Sequence, residues 1–581
     1  MASIAIPSGV LLAALLALPT IFGDFAAYQV GLFLIYGIVA QGIGFIWGKT
    51  GILPLGQTLF FGGSAYLTGT ILRDVEGLPF QIALLAGTVL LAGLIALVLA
   101  AAVFRGRSDS GPYFSLITLA LALIAEQLVL TMPELTGGFN GLGGFGPIAG
   151  LDPFGSLYYL VAGTAVAVTA LLLALNRLPA ALIAQALSDN EPRLQLLGYP
   201  THLVKGLAFA LSAALAALAG SLFASHQGIV TPTSIGFALS TELVIMTAVG
   251  GRFHVLGPLA GAVTLGYLTA ELRDSFRYWE LLLALLFIGV VLLAPGGFAG
   301  LVQSLAARIR KPRPRCLPAP VPAPETRIDR SPAPLAFRDV HLHAGQVNIL
   351  NGVEFETPDS GIVAIIGPNG AGKTSTFNVI SGTLIPQRGK VTLGGLRVDS
   401  RPPHLGLRSG IGRKLQVPSV FFSMSVAENL AIATLAGRAG LLDHFRTAPL
   451  AWRSRAVERL LSHPSIPLRA DLERRVAELA QGHRQLLEFA MTAAAEPRLL
   501  MLDEPCAGLS AEETGLMTNL VREYQAEIQG LVIVIEHDMA IVESLSDMVL
   551  VLHQGRVLAF GSYAEVKADP AVQAVYAGGT K

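Results

Sequence analysis

The hydrophobic positions of this chain fall into two regimes. From Met1 to about Ser304 apolar residues dominate, in stretches long enough for helices that are apolar on every face; from Arg308 onward short apolar runs alternate with polar segments, as in a soluble α/β fold. A helix that crosses a bilayer needs about 20 mostly apolar residues. Segments near that length are residues 10–22, 30–46, 53–72, 80–104, 113–131, 157–175, 204–225, 236–250, 257–270 and 281–294. They predict a polytopic α-helical membrane domain of about 8–10 spans. Several are short or broken by glycine, which is tolerated where protein buries the break or a cavity lies beside it.

Composition sharpens this division. Hydrophobic residues make up 52% of the 581-residue chain and charged residues 14%, the latter well below the usual ~25%; mean hydropathy is +0.60. A formal net charge of zero gives no hint of a nucleic-acid partner. The two cysteines, Cys316 and Cys506, stand far apart. No disulfide framework is expected, which suits a reducing compartment for the polar half. The apolar stretch 10–18 is preceded by no Lys or Arg and is followed at once by further spans, so it reads as an uncleaved first span.

Loop charge orients the spans, because basic residues stay on the cytoplasmic side. Arg105 with Arg107, Arg177 with Arg193, and Arg308, Arg310, Lys311, Arg313 and Arg315 form three basic stretches; residues 132–156 and 227–235 carry no Lys or Arg. Alternating through ten segments puts all three basic stretches inside and both basic-free loops outside. Residues 186–203 (ALSDNEPRLQLLGYPTHL) form an amphipathic cytoplasmic segment broken at Gly198 and Pro200, either an ordinary interfacial helix or a contact for a soluble domain. Glu126, Glu242 and Arg252 lie within or beside apolar runs. Intramembrane charge is costly and marks a solute path, unless pairing near a span end satisfies it.

The tract 310–334 (RKPRPRCLPAPVPAPETRIDRSPAP) alternates proline with charge, which favours an extended semi-rigid spacer. The expected organisation is a transmembrane domain over residues 1–306, a cytoplasmic linker over 307–334 and an α/β domain over 335–581.

Gly367, Pro368, Asn369, Gly370, Ala371, Gly372, Lys373 and Thr374 match G-x-x-x-x-G-K-[ST] in full, after an apolar run (362–366) and before a segment, with Ser375, that reads as helix. This is the context of a phosphate-binding loop, with Lys373 for the β- and γ-phosphates and Thr374 for Mg²⁺. Downstream, an apolar strand ends at Asp503 and Glu504, placing Asp503 to hold Mg²⁺ and Glu504 to polarise the attacking water. A second strand ends before His537, ordered to contact the γ-phosphate. Gln416 follows Gly412, Arg413, Lys414 and Leu415 and is the candidate sensor of Mg²⁺ and water.

In this order, with Leu479, Ala480, Gln481, Gly482 and His483 between Gln416 and Asp503, residues 335–578 resemble the ATPase of an ATP-binding cassette (ABC) transporter. The chain end GSYAEVKADPAVQAVYAG resembles the branched-chain amino acid and urea uptake family. GIGRKLQVPSVF, CAGLSAEET, VIEHDMAIV and VLHQGRVLAFGS lean toward its urea-type members, and STELVIMTAVGGRFHVLGPLAGA and TGGFNGLGG resemble the matching permeases.

That resemblance implies a permease fused to an α/β ABC nucleotide-binding domain, using ATP and Mg²⁺, in a bacterial inner membrane. It implies import of urea or a short amide, with branched-chain amino acids as the alternative. The implied partners are a second permease, a second ABC ATPase and an external solute-binding protein. Residues 186–203 would be the coupling helix. Gln416 and His537 join Glu504 as implied catalytic residues, and Leu479 to His483 would serve the partner's ATP site. A half-size exporter would share the domain order, but has about six spans with long cytosolic helices.

Three positions depart from the family pattern. Ala480 replaces the signature serine, implying a weakened composite site and disfavouring a homodimer. Ala344 stands where an aromatic stacks on adenine, and Ser510 where many members carry aspartate.

Overall fold

The computed structural model describes residues 2–104, 111–309 and 320–577. Arg105, Arg107, Arg310, Lys311, Arg313, Arg315, Cys316 and residues 310–319 of the expected linker lie outside the described residues. The chain divides into two compact units: Met1–Ser188 with Thr201–Arg313, and Asp189–Pro200 with Pro314–Lys581.

The first unit is helical: α1 (Ala2–Phe22), α2 (Asp24–Thr50), α3 (Gln57–Asp74), α4 (Leu78–Phe104), α5 (Gly111–Thr131), α6 (Pro133–Thr136), α7 (Ser156–Leu175), α8 (Pro179–Asp189), then, past the second unit's α9 (Glu191–Leu196), α10 (Thr201–Gln227), α11 (Phe237–Gly250), α12 (Leu256–Ser275), α13 (Trp279–Leu293) and α14 (Gly297–Ile309). Every expected apolar segment overlaps one of these helices, although residues 53–56 of the third precede α3. Among the described residues, six helices are long and apolar enough to span, or seven if the α13–α14 pair, bent by 44°, counts as one. The expected 8–10 is higher because α3 carries Gln57, Thr58, Ser64, Tyr66 and Thr68 within its run, because the apolar stretch described in α1, Ser8–Phe22, is short, and because α12 is not among the six.

Helix α10 packs along α2, α3 and α4. Close approach depends on small residues, since hydrocarbon supplies no hydrophobic drive between helices. At Gly220 a Cβ would meet the carbonyl oxygen of Phe61 at 2.0 Å. Buried polar groups tie the helices: Gln41 Nε2 donates to Thr169 Oγ1 (2.9 Å) and Gln57 Nε2 to Ser212 Oγ (2.9 Å). The two basic-free loops join where Leu142 and Val230 exchange backbone hydrogen bonds of 2.8 and 2.9 Å. Of the three ionisable candidates, Arg252 stacks on Trp47, 4.2 Å from the ring centroid, a cation–π arrangement. The Glu126 carboxylate crowds Gly236, where a Cβ would meet Oε1 at 2.8 Å. Glu242 lies in α11.

The second unit is built on strands β1 (Val321–Pro322), β2 (Leu335–Ala344), β3 (Val347–Glu356), β4 (Gly361–Ile366), β5 (Arg388–Leu393), β6 (Leu396–Arg397), β7 (Ile411–Lys414), β8 (Trp452–Arg453), β9 (Leu499–Asp503), β10 (Leu531–Ile535), β11 (Met548–His553) and β12 (Arg556–Gly561). The central sheet runs β12-β11-β4-β10-β9-β7, parallel except for β12. β9 and β10 are buried along their length, which is why they read as unbroken apolar runs. An antiparallel sheet, β3-β2-β5-β6, completes the framework.

Helices α15 (Lys373–Ile380), α16 (Val426–Leu435), α17 (Arg455–Ser462), α18 (Gln481–Ala493), α19 (Ala511–Ile528), α20 (Met539–Leu545), α21 (Tyr563–Ala568) and α22 (Pro570–Ala577) belong to this unit, with α16, α17 and α18 inserted between β7 and β9. Residues 320–334, expected as spacer, lie along this unit, with β1 pairing parallel to β8. Proline presets extended backbone and lacks an N–H, so a proline-rich segment is accommodated at an edge.

Candidate ATP site and signature segment

In an open parallel sheet, functional loops gather at the carboxyl ends of the strands. Here β4, β10, β9 and β7 are successive neighbours in register: Ile535 faces both Ile365 and Asp503, and Lys414 faces Leu502. The phosphate loop follows β4, His537 follows β10, Glu504 follows β9 and Gln416 follows β7. Strand order therefore brings together groups that sequence scatters over more than a hundred positions.

The loop Gly367 to Thr374 turns from β4 into α15. Gly367 has φ +150° and a Cβ there would meet the Leu552 carbonyl oxygen at 2.1 Å; Gly372, φ +102°, caps α15 and a Cβ would meet Leu350 Cδ2 at 2.8 Å. Only glycine fits either place. Lys373 Nζ donates to the carbonyls of Gly367 (2.6 Å) and Pro368 (3.1 Å), spanning the loop from within. Burial lowers its pKa, with Glu504 and Asp503 opposing. Thr374 is exposed and Ser375 half-buried, next to the unpaired N–H groups of the helix start.

Glu504 occupies a left-handed conformation, φ +45°, fixed by its N–H donating to the Ile535 carbonyl at 2.9 Å. Such strain in a non-glycine residue persists where surrounding structure holds it. Its Oε1 accepts from Gln416 Nε2 at 3.0 Å and faces His537 Nε2 at 3.2 Å. The three residues expected to act together thus form one cluster. Asp503 is nearly fully buried, 4.0 Å from Arg413; burial raises its pKa and Arg413 opposes.

The donor set at this edge is an alcohol, an amide and carboxylates. Among the described residues no group of three or more His, Cys, Asp or Glu could hold a metal by itself. The alcohol, amide and carboxylates present fit Mg²⁺, which prefers one or two carboxylates completed by phosphate and water.

The segment expected as the signature, residues 479–483, lies elsewhere. Leu479 is buried, Ala480 is the N-cap of α18 without a side-chain cap bond, and Gln481 and Gly482 begin the helix. At Gly482 a Cβ would meet Glu513 Oε1 at 2.0 Å. His483 Nδ1 lies 3.3 Å from Asp471 Oδ2. Ser510 caps α19 in a reciprocal box with Glu513. Ala344 ends β2, exposed, with the His343 ring beside it stacked on His341, centroids 6.5 Å apart.

Sequence reading passed over a buried ionic cluster. The short α9, cut from the 186–203 segment, belongs to the second unit, and its Arg193 is fully buried. Arg193 donates to the Arg413 carbonyl (2.8 Å), Thr492 Oγ1 (3.0 Å) and the Glu488 carbonyl (3.3 Å), with the Glu488 carboxylate at 3.6 Å. Lys414 Nζ lies 3.6 Å from the other carboxylate oxygen, and Glu488 Oε1 accepts from Leu415 N at 3.0 Å. Burial lowers the pKa of Arg193 and raises that of Glu488, while the opposite charges resist both shifts. The available signal was an acid, Glu488, amid the apolar run 486–495.

Comparison with known proteins agrees with this construction. Residues 350–507 match the family described as "ABC transporter", and residues 25–294 match the "Branched-chain amino acid transport system / permease component". The chain is 34% identical over 244 residues to the high-affinity branched-chain amino acid transport ATP-binding protein BraF of Pseudomonas aeruginosa, covering 41% of this chain and 94% of that one. It is 33% identical to LivG of Escherichia coli, described in the same words, covering 42% and 97%. The lipopolysaccharide export system ATP-binding protein LptB of Acidithiobacillus ferridurans is 32% identical, covering 40% and 90%. A nucleotide-free ATP-binding cassette from an ABC transporter superposes at a TM-score of 0.37 with 25% identity, covering 42% and 98%.

The chain belongs to the ABC transporter family. It is a membrane protein in which an importer permease is fused to the ATPase that binds and hydrolyses ATP.

Proposed function

We propose that the transported solute is a branched-chain or similar hydrophobic amino acid. The observation that carries this reading is the match of residues 25–294 to a branched-chain amino acid permease component, supported by the 34% identity to BraF. The urea or short-amide expectation gains no support from these relatives.

In this reading, residues 1–306 form the permease, 307–334 the joint and 335–581 the ATPase, in a bacterial inner membrane with the basic loops inside. Glu504 accepts the proton of the attacking water, and the Gln416 and His537 contacts to Oε1 orient it. Lys373, the loop N–H groups and Ser375 hold the triphosphate. Thr374, Asp503 and Gln416 would hold Mg²⁺, which neutralises phosphate charge when bound. Leu479, Ala480, Gln481, Gly482 and His483 face the ATP of a second ATPase, so the working assembly includes a second permease, a second ATPase and an external binding protein. Residues 186–203 would be the coupling segment of this reading, with Arg193 anchoring its middle in the ATPase unit.

The test is ATP hydrolysis and uptake by the assembled transporter in liposomes with its binding protein. Leucine, isoleucine or valine stimulates both; stimulation by urea or acetamide but by none of the three overturns the reading.

A further inference from the structure

The joint between the halves does more than span a gap. Its described portion, residues 320–334, is fixed to the second unit at both ends and in the middle. At the start, β1 runs beside β8 and Ala323 N donates to the Arg453 carbonyl at 2.8 Å. In the middle, Arg327 N donates to the Gly437 carbonyl at 3.0 Å, and Ile328 is buried over Gly437, where a Cβ would meet Ile328 Cδ1 at 2.6 Å. At the end, Ala333 N donates to the Asp359 carbonyl (3.2 Å) and Gly394 N to the Pro334 carbonyl (2.9 Å).

Two ion pairs make the strap specific. Asp329 Oδ2 lies 3.0 Å from Arg498 Nη1, and Arg330 pairs with Glu496. Glu496 follows the C-terminus of α18, is buried, and has φ +54°. It also meets Arg438 at 3.2 Å. Arg438 in turn donates to the carbonyl of Ala494, the C-cap of α18, at 2.7 Å and to the strap carbonyl of Pro324 at 3.1 Å. Basic side chains on terminal carbonyls stabilise a helix end. The opposite end of this helix begins with Ala480 and Gln481.

We propose that the strap of residues 320–334 is a positioning clasp for α18: by holding Glu496 and Arg438 it fixes the axis of the helix whose first turn is the signature segment. The covalent joint to the permease thereby sets the geometry offered to the partner's ATP. Arg330 and Ile328 are positioning residues that act through Glu496 and Gly437. This rests on the signature serving a second ATPase.

Removing Arg330 leaves Glu496 paired with Arg438, so no buried charge is stranded. In the full assembled transporter, Arg330→Gln and Ile328→Ala each lower kcat for ATP at least about threefold, about 0.65 kcal/mol by RT ln 3, with KM for MgATP within about twofold. Arg330→Lys restores at least half the rate. A six-residue Gly/Ser insertion just before Pro320 leaves kcat within about twofold, because the anchors lie after it. Full activity in both variants, no recovery with lysine, equal damage from the insertion, or loss of nucleotide binding alongside kcat each overturns the proposal. Failure of the unaltered chain with its partners to hydrolyse ATP would instead strike the reading on which it rests.

Discussion

At the scale of single residues, the proposed ATP edge separates a rigid loop from a strained acid. Lys373 and the glycines build the loop, whereas Glu504 is held in a strained conformation between Gln416 and His537. Glu504→Gln keeps the shape and removes the proposed proton acceptor. Hydrolysis should fall about 10²–10⁴-fold while bound nucleotide persists, as filter binding of labelled ATP against phosphate release will show. Ala480 offers a second test. It is an N-cap in extended backbone with no side-chain acceptor, and serine there gains about 1 kcal/mol. Ala480→Ser should raise the thermal midpoint and the turnover of the assembled transporter; unchanged turnover removes the case for a weakened composite site. A pH effect follows at Ser510. Its backbone and side-chain hydrogen bonds, with a smaller contribution from His483, hold the Glu513 carboxyl below its ordinary range. The folded value is depressed, so the capping contribution is fully present above the unfolded value of about 4.3 and is lost as pH falls through the folded one. Proteolysis near the start of α19 should rise on acidification, and less so in Ser510→Ala.

At the scale of elements, α9 is too short to be stable alone, and its burial in the second unit supplies what its length cannot. The cluster beneath it holds one acid, Glu488, against two cations, Arg193 and Lys414. Arg193→Met leaves a balanced pair, whereas Glu488→Gln leaves two cations without a counter-ion, and stranding buried charge costs about 3–5 kcal/mol. Thermal unfolding should therefore show Glu488→Gln to be the more destabilising change.

At the scale of the whole molecule, the first unit is a helical bundle and the second a nucleotide-binding α/β fold. The basic-free loop 132–156 carries Phe139, which is 87% exposed. Placed outside by the charge rule, Phe139→Cys in a Cys316→Ser background should react with an impermeant maleimide in intact cells, while the buried Cys506 stays unlabelled. Labelling only after permeabilisation would reverse the orientation.

The sequence by itself determined the class of protein, because its strongest signals are local. Apolar runs and a phosphate loop each sit within a few tens of residues, and their chemistry depends on that spacing. It also named Gln416, Glu504 and His537, but not that they touch: Gln416 and Glu504 are 88 positions apart, and the order β10-β9-β7 brings them together. Likewise it read residues 310–334 as spacer and Arg193 as loop charge. Composition reports what a segment can do alone, whereas the burial of Arg193 against Glu488 and the strap's grip on α18 depend on partners distant in the chain. Those pairings are tertiary facts, fixed by which surfaces the fold brings within hydrogen-bonding distance.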